Sequence, residues 1–314
     1  MQFLSALLSS MPGAAAQGLI WGVMAIGVYI TYKILDVADL TVDGSLCTGG
    51  AVCVILTLNG CPMPVALIAA VIAGMLAGFV TGIFHTAFGI PAILAGILTQ
   101  LALYSVNLHI MGWGTDNGSK ANLPISVDKY NLLVSSRYVR DIKVDNPIFI
   151  LAIFLIIIIF VLYWFFGTEL GSSLRATGAN GNMARAQGIN TNFNIVLGLM
   201  ISNGLVALSG ALLSQYQGFS DINMGRGAIV IGLAAVIIGE VIFDKIFRNF
   251  GLKLLSCVIG AVIYYVVIQI VLKMGLSTDD LKLLTAVVVA LFLAVPYWKG
   301  KYFNKAKKGA QTNA

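Results

Sequence analysis

Charge is scarce in this chain. Only 10% of its 314 residues are Asp, Glu, Lys or Arg, against 59% hydrophobic, and the mean hydropathy is +0.92. A soluble domain carries about 25% charged residues, so that class is excluded and a polytopic membrane protein remains. Histidine is limited to His85 and His109, far apart in sequence, and Cys47, Cys53, Cys61 and Cys257 form no CxxC pair. Metal binding therefore has no support, and the cysteines read as small buried helix residues. The chain has no GxxxxGK[ST] phosphate loop, which excludes nucleotide hydrolysis by that route. It also lacks a Ser-His-Asp grouping, HExxH and paired intramembrane carboxylates. An intramembrane enzyme would have no catalytic groups, and a proton-coupled carrier would miss the buried acids it usually needs. The opening MQFLSALLSSMPGAAAQG has no basic stretch before its apolar run, so it is expected to be retained rather than cleaved as a signal peptide.

What the chain does have is apolar segments. Nine stand out, at 17–35, 44–58, 62–83, 90–111, 147–166, 193–216, 227–243, 254–273 and 283–298. Residues 3–16 are a tenth candidate, but Pro12, Gly13 and the short length favour a broken or surface-lying segment. The predicted fold is an all-α polytopic membrane protein of nine, or with that segment ten, transmembrane helices. Its 34 glycines suit close helix packing in lipid. Gly74, Gly78 and Gly82 recur every fourth residue and give one smooth helix face.

The basic residues orient these spans. Lys299, Lys301, Lys305, Lys307 and Lys308 lie in an acid-free tail, 299–314, which places the C-terminus in the cytoplasm. Counting back, 244–253 and 167–192 are also cytoplasmic, with Lys245, Arg248, Lys253, Arg175 and Arg185 against Asp244 and Glu169. The stretches 112–146, 217–226 and 274–282 fall outside. So placed, 33–43 is a cytoplasmic loop, although it holds Lys33 against Asp36, Asp39 and Asp43. Nine spans leave the N-terminus outside; a tenth would put it inside.

The pattern is four, one, four. A first repeat (17–111) and the outer loop 112–146 precede a very apolar central helix (147–166), a cytoplasmic stretch (167–192) and a second repeat (193–298). Equivalent spans lie five apart and run in opposite directions, which is an inverted repeat. Aligned without gaps, 39–60 against 221–242 pairs Asp39 with Asp221 and Gly50 with Gly232. Both stretches lead into short, glycine-containing spans through polar turns, DLTVDGS and DINMGRG. Short, interrupted spans at matching positions point to a transport site near the midplane.

Buried amides and phenols need partners or water. Gln100, Tyr104, Asn107, Asn203, Tyr264 and Gln269 are the candidates for lining a pathway, with inter-helix bonding as the competing role for each. Glu240, the only acid inside a predicted span, lies within reach of Lys245 and reads as a locally paired or snorkelling carboxylate.

The stretch GTELGSSLRATGANGNMARAQGINTN (167–192) is polar between two apolar segments. Asn180 is a good N-cap and Gly188 a good residue beyond a helix C-terminus, so 181–187 is expected to form a short cytoplasmic helix of about two turns. The run GSSLRATGAN (171–180), with Ala184 and Gly188-Ile189-Asn190 after it, resembles the cytoplasmic signature of permeases of bacterial ABC importers. This is the superfamily of the branched-chain amino acid and ribose permeases. The turn at 221–227 and LVALSGALL (205–213) are similar to it as well, and within it the chain looks most like the tryptophan- or tyrosine-type branch. The acidic DVADLTVDGSLCTGG (36–50) and the long outer loop depart from the pattern.

The resemblance implies a non-enzymatic permease subunit in the bacterial plasma (inner) membrane, importing a small solute, an aromatic or branched-chain amino acid. ATP and magnesium would be bound by a separate ABC ATPase subunit, and this chain would hold no cofactor of its own. Arg175, Gly178, Asn180, Met183, Ala184, Arg185 and Gly188 would form the coupling element, with Met183 and Ala184 docking in a groove of the ATPase. The other implied partners are an extracellular or periplasmic substrate-binding protein contacting 112–146, a second permease copy and membrane lipid, with no nucleic acid. The alternative is a stand-alone ion-coupled secondary transporter.

Overall fold

The computed structural model describes residues 2–114, 118–126, 129–130, 132–139, 146–243, 246–247, 249–273 and scattered positions from 283 to 294, with backbone only for 2–6 and 8. The ninth predicted span, 283–298, is described only at those scattered positions. Lys245 and the tail 299–314 lie outside the described residues, as does part of the outer loop.

Ten α-helices are described: α1 (Gln2–Tyr29), α2 (Val42–Leu58), α3 (Met63–Thr86), α4 (Ala92–Met111), α5 (Pro147–Gly167), α6 (Glu169–Ala179), α7 (Gly181–Ala186), α8 (Thr191–Gln217), α9 (Ala228–Phe243) and α10 (Phe250–Lys273). Six are long and apolar enough to cross a membrane, whereas α2 and α9 are shorter apolar helices. The expectation that 3–16 is a separate or broken segment is overturned. Helix α1 runs unbroken through Pro12, and a π-helical turn, Ile30–Ile34, extends it. Packing against neighbouring helices tolerates a proline that would break a helix in water.

Helices α1 and α8 form the inside of the bundle, and α5 lies on its rim with Phe149, Ile153, Ile156, Phe160 and Trp164 exposed. So broad an apolar face suits lipid or another apolar protein surface rather than water. The glycine stripe behaves as expected. Gly74, Gly78 and Gly82 face the α8 backbone at Asn203, Leu199 and Val196, in spaces that a Cβ would fill. This close approach fixes α3 antiparallel on α8.

Of the expected cytoplasmic loop 33–43, Lys33, Asp36 and Ala38 are exposed, but the part from Asp39 onward enters the bundle. Asp36 takes a left-handed φ of 55°, which an aspartate tolerates, and turns the chain inward. Asp39 is then 3% exposed beside Asn203, halfway along α8. Glu240 is therefore not the only acid within the bundle. It pairs at 3.1 Å with Lys33, and its expected neighbour Lys245 lies outside the described residues. At the opposite end, Asn122–Pro124 (β1) of the outer loop pairs antiparallel with Phe219–Asp221 (β2), Leu123 opposite Ser220.

Candidate functional site

The six pathway candidates separate into different environments. Gln100, Tyr104 and Asn107, at successive turns of α4, share one cavity of about 290 Å³ with Asp43, Gly44, Cys47, Leu101, Ile222 and Arg226. Asn203 is buried and fully engaged: its Nδ2 donates to Asp39 Oδ2 at 2.7 Å, and its Oδ1 accepts from Ser45 Oγ at 2.6 Å. It fastens α8 to the start of α2 and does not line this cavity. Tyr264 packs its ring 5.6 Å from Tyr265, in a cluster with Ala234 and Ile238 between α9 and α10. Gln269 lines a separate cavity of about 440 Å³ with Gln17, Arg137 and Tyr216.

The shared cavity is built from the start of α2, the middle of α4 and the turn before α9. Gly44 leaves room for α4 at Gln100 and Leu103. The turn 222–229 is held by α2. Asp43 accepts from the backbone N–H of Gly227 at 2.9 Å and of Ile229 at 3.0 Å, so it caps α9 from another helix. Cys47 Sγ accepts from the N–H of Gly225 and donates to the carbonyl of Ile222. The acidic, cysteine-containing stretch 36–50 thus supplies the strap that fixes one wall of the cavity. Sequence reasoning missed Asp43, Cys47 and Arg226 as lining residues, although the polar turn DINMGRG was a visible signal. Arg226 is exposed and makes no ion pair among the described residues.

At the other end of the bundle, α7 forms where the caps predict it. Asn180 Oδ1 accepts from Met183 N–H at 3.0 Å, and Gly188 takes a left-handed φ of 82° as Ile189 N–H closes back on the Ala184 carbonyl. Sequence reasoning missed α6, an eleven-residue helix that Thr168 caps by accepting from Gly171 N–H. Arg175, Thr177 and Gly178 tie α6 to membrane helices. Arg175 donates to the Phe166 carbonyl at the end of α5 and lies 5.7 Å over the Phe250 ring. Asn194 of α8 donates to Thr177 Oγ1 at 2.9 Å. Gly178 presses on the Ile34 carbonyl, where any side chain would collide. Arg185 Nε donates to Thr191 Oγ1 at 2.7 Å. Ala184 is buried within its own chain, which corrects its expected place on a docking face, whereas Met183 is 62% exposed.

The profile described as "Branched-chain amino acid transport system / permease component" matches residues 10–296. The chain is 40% identical over 287 residues to a tyrosine transport system permease protein of Clostridioides difficile (strain R20291), covering 91% of each chain. It is 28% identical over 228 residues to the D-allose transport system permease protein AlsC of Escherichia coli (strain K12), covering 72% of this chain and 64% of that one. Among solved structures it is similar in fold to PsaBC from Streptococcus pneumoniae in complex with Fab, with a TM-score of 0.55 at 14% identity, covering 96% of this chain and 99% of that one.

Proposed function

The chain belongs to the family of branched-chain amino acid transport permeases and is a multi-pass membrane protein, and from that premise we propose that it is the membrane subunit of an ABC importer for an aromatic or branched-chain amino acid. ATP is hydrolysed on a separate subunit, a binding protein delivers the solute outside, and two permease copies enclose the pathway. The observation that carries this reading is the α6–α7 pair. A helix of six residues is not stable alone in water. Here its caps and the buried Ala184 hold it, and α6 joins it to α1, α5 and α8. A push on the exposed Met183 can therefore be passed through α6 to three membrane helices. On this reading the α6–α7 end and the basic tail face the cytoplasm, as the charge bias expects.

The inverted repeat belongs to the same reading. Asp39 accepts from the N–H of Thr41, and Asp221, its partner in the gapless alignment, accepts from the N–H of Asn223. The same turn precedes both short helices.

Met183→Asp tests the coupling role, because the side chain is exposed and its loss leaves no cavity. With an ABC ATPase subunit and binding protein co-reconstituted in vesicles, ATP-driven tyrosine uptake should fall roughly tenfold or more, as for an interface hot spot. The thermal midpoint of the permease should stay unchanged. Wild-type uptake by this chain alone, driven by an ion gradient without ATP, would establish the secondary transporter instead. Asp39 gives that alternative the buried acid that the sequence reading denied it, but its carboxylate is occupied by Thr41 and Asn203.

A further inference from the structure

We infer that the cavity between α2, α4 and the 222–229 turn is a binding subsite for a zwitterionic amino acid, with Arg226 receiving the carboxylate and Asn107 Oδ1 the ammonium. This rests on the importer reading above and adds the chemistry by which the pore would recognise its solute.

Asn107 supplies the first observation. It is 1% exposed, and its Oδ1 has no hydrogen-bond partner among the described residues. Its Nδ2 faces the carbonyl of Gly44 at 3.4 Å. An amide oxygen turned that way would repel the carbonyl, so the orientation is set and the acceptor is the atom left over. A buried acceptor without a donor is costly unless something fills it. A water could do so, but the other lining residues point to a charged guest. Asp43 adds negative charge on the same wall. Its two oxygens accept from the N–H groups of Gly227 and Ile229, which holds the carboxylate at the cavity wall.

Arg226 supplies the second observation. It lines the cavity, on a turn that Asp43 and Cys47 hold in place, and makes no ion pair among the described residues. Its planar fork matches a carboxylate through two parallel hydrogen bonds. A neutral sugar would use neither charge. The Tyr104 ring, Leu101 and Ile222 supply an apolar wall for a side chain. The volume of about 290 Å³ lies at the lower edge of the range of roughly 300–1,000 Å³ in which small-molecule sites fall, which suits a single amino acid.

The test uses the full chain in lipid nanodiscs, so it needs no ATPase. Binding of radiolabelled L-tyrosine is competed with tyramine, which lacks the carboxylate, with hydroxyphenylpropionate, which lacks the amine, and with D-allose. L-Tyrosine should compete roughly tenfold better than either half-molecule, the difference expected from one charge-assisted contact, and D-allose should not compete. Arg226→Gln should weaken L-tyrosine about tenfold and leave tyramine unchanged, with Arg226→Lys recovering part of the loss. Asn107→Leu should weaken L-tyrosine and leave hydroxyphenylpropionate unchanged. Thermal midpoints confirm that each variant is folded. Absence of wild-type tyrosine binding up to about 1 mM, the top of ordinary KM values, overturns the site. So does equal competition by D-allose, or wild-type affinity in both variants. If both variants import normally in the ATP-driven assay while Met183→Asp does not, the site falls and the importer reading stands. If ATP never drives uptake, the importer reading falls, and the nanodisc result still judges the site.

Discussion

The lead-in to α2 and the lead-in to α9 begin alike and end differently. Each starts with an aspartate that accepts from the N–H two residues on. The first is then swallowed by the bundle: Asp39 meets Asn203 at the middle of α8, and Thr41 Oγ1 lies 2.7 Å from Thr81 Oγ1, which donates in turn to Thr99 at 2.9 Å. The second stays at a cavity wall. Asp221 is half-buried, Arg226 is exposed, and the turn depends on Asp43 and Cys47 of α2 for its shape. One lead-in has become a fastener among α2, α3, α4 and α8. The other carries a charge into open space. Two copies of one device can thus divide stability and recognition between them.

Removing the fastener should give the largest effect. Asn203→Leu leaves the buried Asp39 carboxylate without its amide donor and leaves Ser45 Oγ only the Thr41 carbonyl as acceptor. Loss of one partner of a buried, hydrogen-bonded charge costs several kcal/mol, and about 3 kcal/mol is expected here. The measurement is the thermal midpoint in detergent, which should fall well below that of Asp221→Asn. A surface turn of the latter kind changes stability by about 0.5 kcal/mol or less. Equal losses at the two positions would erase the distinction between fastener and wall.

The wall gives the next effect. Asp43→Ala removes a cap from α9 and frees the turn that carries Arg226. The stability cost should be about 1 kcal/mol, as for other lost helix caps. The apparent KM for uptake should rise by more than that cost explains, because the guanidinium is no longer held. A fall in thermal midpoint with an unchanged KM would make Asp43 a strut and nothing more.

Much of this was legible in the sequence, for reasons that differ by residue. The caps of α7 are local chemistry, so Asn180 and Gly188 could be read directly. The stripe of Gly74, Gly78 and Gly82 announced a close helix contact, though not that α8 would fill it. The path of 36–41 was not legible. Charge bias treats acids before a span as loop residues, and nothing local says that Asp39 will find Asn203 from 164 positions away. Helix α6 was hidden because its glycines and serines are poor helix formers, and what secures it is packing against α1, α5 and α8. Gln100, Tyr104 and Asn107 were gathered by their spacing on α4. Arg226 joins them only through the strap from α2, and so the cavity could not be assembled from one stretch of sequence.

The smallest effect belongs to the pair that joins the two halves at the opposite end. Lys33 follows α1, Glu240 is near the end of α9, and their charged atoms are 3.1 Å apart with the side chains 50% and 29% exposed. Coulomb attraction between groups so open to water is mostly screened, and ordering two flexible side chains offsets part of the rest. A double-mutant cycle with Lys33→Met and Glu240→Gln should therefore give a coupling of about 0.5 kcal/mol in thermal stability, smaller at high salt. The two singles should look alike, because each strands a charge that water can still reach. A coupling well above about 1 kcal/mol would mean that this end is drier than its exposure implies, as it would be if a partner closes over Lys33, Arg175 and Gly178 beside α6. Repeating the cycle with an ATPase subunit bound separates the two cases. Coupling that grows only in the complex places the pair under the partner, and coupling that stays small leaves it a surface contact between α1 and α9.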